Sequence, residues 1–148
     1  MGPIKLEMYD TYGRELLNER LSLTLTDLRI QSYLYNKEIA EEVFVLYLKF
    51  DIWMRIFFDD GVLFIKEGPE EPLMNLENES DADEFEYPFI DSINEKYPID
   101  KVLNKSFVGF TVSQGFDLYL DFQGGHQMKI SQEVTSPGWF GRTTLEIK

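Results

Sequence analysis

The sequence predicts a mainly β protein, a β-rich α+β fold of antiparallel sheets with at most one or two short helices. The first observation is the stretch 52–66, where two aromatic and β-branched runs flank Asp59-Asp60-Gly61, a hairpin signal. The second is a similar pair of runs around Gln123-Gly124-Gly125. The third is a weak internal match, at a shift of 64 positions, between residues 33–66 and 97–130. We therefore expect two repeated three-stranded meanders, packed as a sandwich or joined in one curled sheet.

Alternation of apolar and polar residues predicts most of the other strands. Residues 27–42 hold no single period, Arg14–Glu19 is ambiguous, and 36–42 fits a short helix or a turn. The predicted elements follow the chain in this order: a strand at 4–8, a turn at 10–13, a strand at 21–25, a strand at 43–49 with Phe44, Leu46 and Leu48 on one face, a turn or short helix at 99–103, strands at 107–112, 116–122 and 126–131, a loop at 135–138, and a last strand at 143–147.

The apolar pattern also selects a register for the second hairpin. A three-residue loop, Gln123-Gly124-Gly125, pairs Leu120 with Met128 and keeps the apolar side chains on one face, whereas a slip of one residue separates them. This loop length is typical of a type I turn followed by a left-handed glycine. By analogy, the first hairpin is predicted to pair Phe58 with Val62.

Both faces of the first hairpin are apolar in part. With the register given above, one face carries Trp53, Phe57, Leu63 and Ile65, and the other carries Met54, Ile56, Phe58 and Phe64. Such a hairpin is either covered on both faces or presents an apolar face to a partner.

The net charge of −13 comes almost entirely from one segment. Residues 67–95 contain eleven Asp and Glu and no Lys or Arg, whereas the rest of the chain has 16 acidic against 14 basic residues. Together with three prolines, this composition predicts an exposed loop or linker, disordered in part. The charge disfavours binding to nucleic acid or to an anionic membrane and permits a basic protein partner.

The length of 148 residues predicts a single domain, 1–148, with the acidic segment connecting the two pseudo-repeats. The chain has no Cys, so disulfides, thiolate zinc sites and Cys nucleophiles are excluded. We see no signal-peptide pattern and no apolar run near the roughly 20 residues that span a bilayer. The expected location is the cytoplasm.

No motif indicates catalysis or a bound cofactor. His126 is the only histidine and is expected to be a solvated turn residue, because nothing near it completes a catalytic triad. Asp81 and Asp83 have the start of a calcium-loop spacing, but the glycine that an EF-hand needs at its sixth position is missing. We therefore expect no catalytic residue, no cofactor, no metal and no enzymatic activity.

The acidic segment is the best candidate for function. Placed against a basic active site, it would steer association by charge, with its aromatic residues as apolar anchors. The predicted partner-binding residues are Glu77, Glu79, Asp81, Asp83, Glu84, Phe85, Glu86, Tyr87, Asp59 and Asp60. Two alternatives stay open: a small-ligand-binding β domain with a housekeeping role and an apolar cavity inside the sheet, and an enzyme that uses carboxylates alone.

In size, acidity and its Phe-Asp-Asp-Gly-Val hairpin at 58–62, the chain resembles the small acidic immunity proteins that neutralise bacterial toxins, including those of contact-dependent inhibition systems. This resemblance implies a catalytically inactive bacterial protein, monomeric on its own, that forms a heterodimer with a toxin domain, often a nuclease. No functional residue carries over from the resemblance.

Overall fold

The computed structural model describes residues 10–59, 61–68, 72, 84–91, 93–113, 117–136 and 139–148. The strands in these ranges are β1 Asp10–Tyr12, β2 Asp27–Tyr35, β3 Glu38–Lys49, β4 Trp53–Asp59, β5 Val62–Glu67, β6 Phe85–Glu86, β7 Phe107–Ser113, β8 Asp117–Phe122, β9 His126–Ser136 and β10 Trp139–Ile147. The helices are α1 Arg14–Glu19, α2 Ile93–Lys96 and a 3-10 turn at Ile99–Lys101.

Over the described ranges, the strands form two sheets. The larger sheet has the order β1-β5-β4-β3-β2-β6 and the smaller has the order β10-β9-β8-β7. Every pairing is antiparallel except that of β1 with β5. The prediction of a mainly β fold with antiparallel sheets and short helices is confirmed.

One apolar core joins the two sheets. Alternate residues of each strand point into it, because successive side chains of a strand lie on opposite faces. The larger sheet contributes Leu28, Ile30, Leu46, Leu48, Met54, Ile56, Leu63 and Ile65, and the smaller contributes Leu118, Leu120, Phe122, Met128, Ile130, Leu145 and Ile147. Burial of each such side chain stabilises the fold by about 1.5–3 kcal/mol, before the opposing conformational entropy is counted.

Each sheet contains a four-stranded meander, β2-β3-β4-β5 or β7-β8-β9-β10, which is one strand longer than predicted. The starts of β4 and β8, Trp53 and Asp117, lie 64 positions apart, and so do the starts of β5 and β9. After the turns the correspondence changes by one residue, since the core position of Leu63 matches that of Met128. The two hairpins therefore have turns of different length.

The register of the second hairpin is confirmed, with Leu120 opposite Met128 and Phe122 opposite His126. The predicted turn type is wrong. Gly124 has φ +92° and Gly125 has φ +80°, whereas a type I turn needs a negative φ at the central Gly124 position. Two successive glycines permit this conformation because neither carries a Cβ.

The register of the first hairpin is wrong by one residue. Asp59, rather than Phe58, pairs with Val62. This two-residue connection moves Leu63 to the core face that also carries Ile56, away from the face of Trp53 and Phe57.

The hairpin end is held by a buried hydrogen bond that crosses to the other sheet. The backbone N–H of Gly61 donates to Oε1 of Gln132, at 2.9 Å. Gly61 has φ +82°, which glycine adopts without the steric cost of a Cβ.

Two of the predictions for the amino-terminal part of the chain are wrong. The turn at 10–13 is wrong, because Asp10–Tyr12 is a strand whose partner β5 lies far away in the chain. Residues 21–25 make one bridge, at Thr24, rather than a strand, and Ser22 interrupts them with φ +76°. The strand predicted at 4–8 lies outside the described residues.

Residues 27–49 form a hairpin. Of the two alternatives for 36–42, the turn is found at Asn36-Lys37, and β3 begins at Glu38. This two-residue turn has positive φ at both positions, 51° and 68°. Between two successive pairings, β3 has two more residues than β2. This bulge puts Val43 in the core and leaves Phe44 39% exposed, so Phe44 does not share the face of Leu46.

Towards the carboxyl end, the predicted loop at 135–138 is partly strand, since β9 continues to Ser136. The 3-10 turn at Ile99–Lys101 agrees with the prediction for 99–103. Of the described helices, none has the length and apolar character needed to cross a bilayer.

Gly13 offers a test of how α1 docks on β5. It has φ +97°, and a Cβ at this position would lie 1.9 Å from the carbonyl oxygen of Ile65. We expect Gly13→Ala to lower the free energy of unfolding by about 3 kcal/mol or more, because strain and a backbone clash add. Chemical denaturation measures the change.

Gly68→Ala is the matched control. Gly68 has φ +82°, but nothing lies within 4 Å of its added Cβ. It should therefore lose only the backbone term of about 1–2 kcal/mol. Equal losses in the two variants would contradict the close approach of Gly13 to β5.

Candidate partner-binding surface

The face of the larger sheet that points away from the core is rich in aromatic side chains. Alternation puts one residue of every pair on this outer face, and here those residues are mostly Phe, Tyr and Trp. In strand order from β1 to the edge beside β2, the aromatic residues are Tyr12, Phe64, Phe57, Trp53, Tyr47, Phe44, Tyr33, Tyr35, Phe89, Tyr87 and Phe85.

The centre of this outer face is covered by the chain itself. Trp53, Tyr47 and Phe89 are 2%, 4% and 6% exposed. The guanidinium of Arg29 lies 4.8 Å from the Trp53 ring centre, and its Nη1 donates to the carbonyl of Pro72. Of the two alternatives for the first hairpin, a covered face is the one found at Trp53. Other groups of the chain lie over its ring, so it offers no free contact surface.

The end of the acidic segment is an ordered edge strand and not the exposed loop that its composition predicts. Residues 84–91 run antiparallel to β2, with Tyr35 opposite Phe85 and bonds that continue to Ile90, whose N–H donates to the carbonyl of Ile30. Alternation turns Phe85, Tyr87 and Phe89 to the outer face, while Ile90 packs against the core.

A buried polar contact holds this return segment in place. Gln31 donates from Nε2 to the carbonyl of Tyr87, at 3.1 Å, and accepts from the hydroxyl of Tyr47, at 3.2 Å. Burial raises the pKa of Tyr47, so its hydroxyl stays a donor at neutral pH.

Five rings at the β2–β6 edge stay accessible; we call them the aromatic patch. Its members are Tyr33, Tyr35, Phe44, Phe85 and Tyr87. Neighbouring ring centres lie 5.4–6.1 Å apart, within the range of stacked and tilted aromatic pairs. Tyr35 is 48% exposed and Phe44 is 39% exposed. Partial burial, with Tyr87 and Tyr35 close by, raises the pKa of Tyr33.

Carboxylates border the patch. Glu84 is exposed, and its backbone carbonyl accepts the N–H of Asn36. Glu86, two residues further along, lies opposite Leu34 and therefore on the other face of the strand from Phe85, and it forms an ion pair with Lys37 at 2.6 Å. The patch is thus an apolar surface joined directly to the most acidic part of the chain.

Four of the predicted partner-binding residues lie together in the return segment 84–91: Glu84, Phe85, Glu86 and Tyr87, of which Phe85 and Glu86 form β6. Asp59 is exposed at the end of β4, and β3 and β2 lie between β4 and β6 in the order of the sheet. The remaining predicted residues, Glu77, Glu79, Asp81, Asp83 and Asp60, lie outside the described residues.

Sequence reasoning missed Tyr33, Tyr35 and Phe44. A signal existed for the two tyrosines, because they alternate with Leu34 just before the two-residue turn that begins at Asn36. No local signal marks Phe44, since a bulge decides which face it occupies.

A cleft of about 460 Å³ lies at the side of the sandwich, between β3 and β10. Next to it, Glu41 accepts the backbone N–H of Thr143 at 2.6 Å. Glu42 accepts bonds from Lys96 at 2.7 Å and from the hydroxyl of Tyr97 at 2.5 Å.

The two neighbouring carboxyls have opposite pKa shifts. Burial raises the pKa of Glu41, although the bond from Thr143 opposes this. Hydrogen bonds, first from Lys96 and then from Tyr97, lower the pKa of Glu42. Burial and the bond to Glu42 raise the pKa of Tyr97.

His126 begins β9, and its Nδ1 lies 3.2 Å from the carbonyl oxygen of Lys148. No three carboxylate or histidine side chains converge on a possible metal position within the described ranges. Comparison of the chain with known protein families, curated proteins and solved structures found no match.

The opposite shifts of Glu41 and Glu42 predict stability changes of opposite sign. Glu41 has a raised pKa in the fold, so its ionisation costs stability above that pKa. Glu41→Gln keeps an acceptor for Thr143 and should stabilise the protein at pH 7, by up to about 1 kcal/mol. The gain should vanish below the ordinary Glu pKa of about 4.3.

Glu42→Gln serves as the adjacent counterpart. Its lowered pKa contributes stability that is present at pH 7 and is lost as pH falls through the pKa in the fold. This variant should lose about 1 kcal/mol or less at pH 7, because the carboxylate is partly exposed, and should approach wild type in acid. Melting temperatures of both variants and of the wild type, measured from pH 3 to 8, test these two signs. Changes of the same sign at pH 7 would refute the opposite pKa shifts of Glu41 and Glu42.

Proposed function

We propose that this chain is an immunity-type inhibitor, an acidic protein that binds a basic toxin domain and covers its active site. The observation that supports this most is the aromatic patch on an edge strand that continues the acidic segment. Apolar anchors and steering charge are then neighbours on one surface. The toxin domain is proposed to act on a polyanion, such as a nucleic acid, since a basic active site suits such a substrate.

The patch has the composition of an interface centre. Tyrosine and phenylalanine are enriched in protein interfaces, and tyrosine is frequent among residues that dominate binding energy. Stacking against Phe85 and Tyr87 limits the freedom of Tyr33 before binding, so less side-chain entropy is lost on association.

Charge supplies the second part of the argument. A segment with eleven acidic and no basic residues creates a one-sided field, which attracts a basic surface and accelerates encounter. The same carboxylates stand in for substrate phosphates in front of cationic residues. Binding of this kind needs no catalytic group, and the proposal therefore treats the chain as catalytically inactive.

The alternative of a small-ligand-binding domain draws on a large apolar cavity inside the sheet. The described core side chains of the two sheets pack as a single cluster. We therefore base the proposed function on the outer face of the larger sheet and not on the interior.

Co-expression tests the proposal. If a neighbouring gene encodes a basic domain, that domain alone should arrest growth, and growth should return when this chain is expressed with it. The purified pair should form a one-to-one complex in which the toxin's activity is lost. Continued arrest, with no complex in size-exclusion chromatography, would exclude the inhibitor role for that pair.

Charge neutralisation should change mainly the association rate. With Asp83→Asn, Glu84→Gln and Glu86→Gln combined, we expect association at low salt to slow about threefold to tenfold, with a flatter salt dependence. Stopped-flow or surface-based kinetics measure both quantities.

The matched control removes three exposed charges elsewhere, with Glu15→Gln, Glu95→Gln and Asp100→Asn. Both variants have the same net charge. If they slow association equally, net charge alone matters and the 83–86 surface has no special role.

We expect the aromatic patch to affect mainly the dissociation rate of the complex. Tyr35→Ala removes an exposed ring that lies 5.4 Å from Phe85, and we expect the complex to dissociate about tenfold faster. Tyr12→Ala is the control, since Tyr12 is 53% exposed and lies 5.4 Å from Phe64 at the opposite edge of the same sheet. Equal effects, or none from Tyr35→Ala, would remove the patch from the interface.

A further inference from the structure

Two strand edges face each other across the cleft beside the core. The last pairing of β3 with β4 is Leu46 with Ile56, so residues 38–45 have no described strand on that side. β10 is the end strand of the smaller sheet over the described residues. The cleft of about 460 Å³ is lined by Ile39, Ala40, Glu42 and Val43 of β3 and by residues 142–145 of β10.

The register shows which backbone groups of β10 face this cleft. Lys148 exchanges two backbone bonds with Gln127 of β9, at 2.9 and 3.2 Å. Thr143 donates its N–H in the opposite direction, and the pairing is regular over 143–147. Because alternate residues of an antiparallel strand bond to opposite sides, the N–H and C=O of Leu145 also face away from β9.

The side chain of Glu41 already occupies the position beside β10 that an added strand would take. The carboxylate of Glu41 accepts the Thr143 N–H, as the carbonyl of an added strand would. Charged side chains at edge strands are a common device against unwanted pairing. Glu41 therefore already bonds the Thr143 N–H of this edge. The N–H and C=O of Leu145 are left for another partner.

We propose that this cleft binds an extended peptide segment of a partner protein, which adds to β10 as a new strand. Main-chain bonds to Thr143 and Leu145 would supply the affinity, as in other strand-addition complexes. The segment is basic, because Glu42 and Glu133 outweigh the single cation Arg142 in the lining. Glu41, once displaced from the Thr143 N–H, adds a third carboxylate beside them. A second copy of this chain is a poor occupant, since each copy carries a net charge of −13.

This site does not depend on the inhibitor proposal. Both sites involve β3, since Phe44 of the aromatic patch follows Val43 of the cleft lining. Tyr35→Ala on β2 and Thr143→Pro on β10 each change a residue of one site alone, so the two proposals are tested separately.

Hydrogen exchange of the free protein is the first test. The amides of Thr144 and Glu146 point towards β9 and should be protected, whereas that of Leu145 should exchange at least about tenfold faster. Protection of Leu145 in dilute protein would show that another part of this chain covers the edge. Protection that grows with protein concentration would show a second copy, and either result overturns the proposal.

A displayed library of short linear peptides, selected on the folded protein, provides the probe. One selected peptide is then synthesised in two forms, N-methylated at its odd or its even amides. Strand addition predicts that one form binds at least about tenfold more weakly and the other within about twofold of the parent. The parent peptide should also protect the Leu145 amide. Absence of any selected peptide, equal effects of the two forms, or an unprotected Leu145 would each overturn the proposal.

Two variants complete the test. Glu41→Ala frees the Thr143 N–H and should tighten binding of the selected peptide several-fold. Thr143→Pro removes that donor and should weaken binding about tenfold. Glu146→Ala, on the same strand but outside the cleft, should leave the affinity unchanged. A proline also strains the strand, so the N-methylated peptides test the same hydrogen bond with the wild-type protein. Loss of peptide binding in Glu41→Ala would count against strand addition at this cleft.

Discussion

The larger sheet is apolar on both faces, and this constraint shapes the rest of the molecule. The smaller sheet covers only one of them, through the shared core. The other face is covered at its centre when the chain returns at 84–91 and buries Phe89 beside Trp53 and Tyr47. The aromatic patch is the part of the outer face that this return leaves accessible. Its exposure therefore follows from how far one segment extends along β2, and it makes the edge a natural place for a partner.

Turn length decides which side chains reach the core. The hairpins are similar in sequence, yet one connects its strands through two residues and the other through three. The difference moves Leu63 to the core face, where it lies with Ile56. The Gly61 amide adds a buried bond to Gln132 of the opposite sheet, so the end of the first hairpin is held by the second half of the chain. An unpaired amide there would cost about 1–3 kcal/mol.

Charge in this chain is separated from the core. The acidic residues concentrate in 67–95, and the described end of that segment is an edge strand whose carboxylates border the patch. Repulsion among like charges is weaker at a solvated edge than inside the sandwich, because water screens it. The carboxyls beside the cleft have specific partners instead: Glu41 accepts a strand-edge N–H and Glu42 forms an ion pair with Lys96. The two regions thus use the same chemical group for different purposes.

The sequence by itself determined the mainly β fold, the strands within 43–49 and 107–112, and the three-residue register at Gln123-Gly124-Gly125, because period-two alternation and paired glycines are local properties. It also selected residues 84–87 as candidates for contact, although it predicted an exposed loop there and not an edge strand. Only the tertiary structure decided the parallel pairing of β1 with β5, the bulge that exposes Phe44, the addition of Tyr33 and Tyr35 to the patch, and the cleft beside β10. These features depend on contacts between residues far apart in the chain, and no local pattern encodes which distant strand becomes a neighbour.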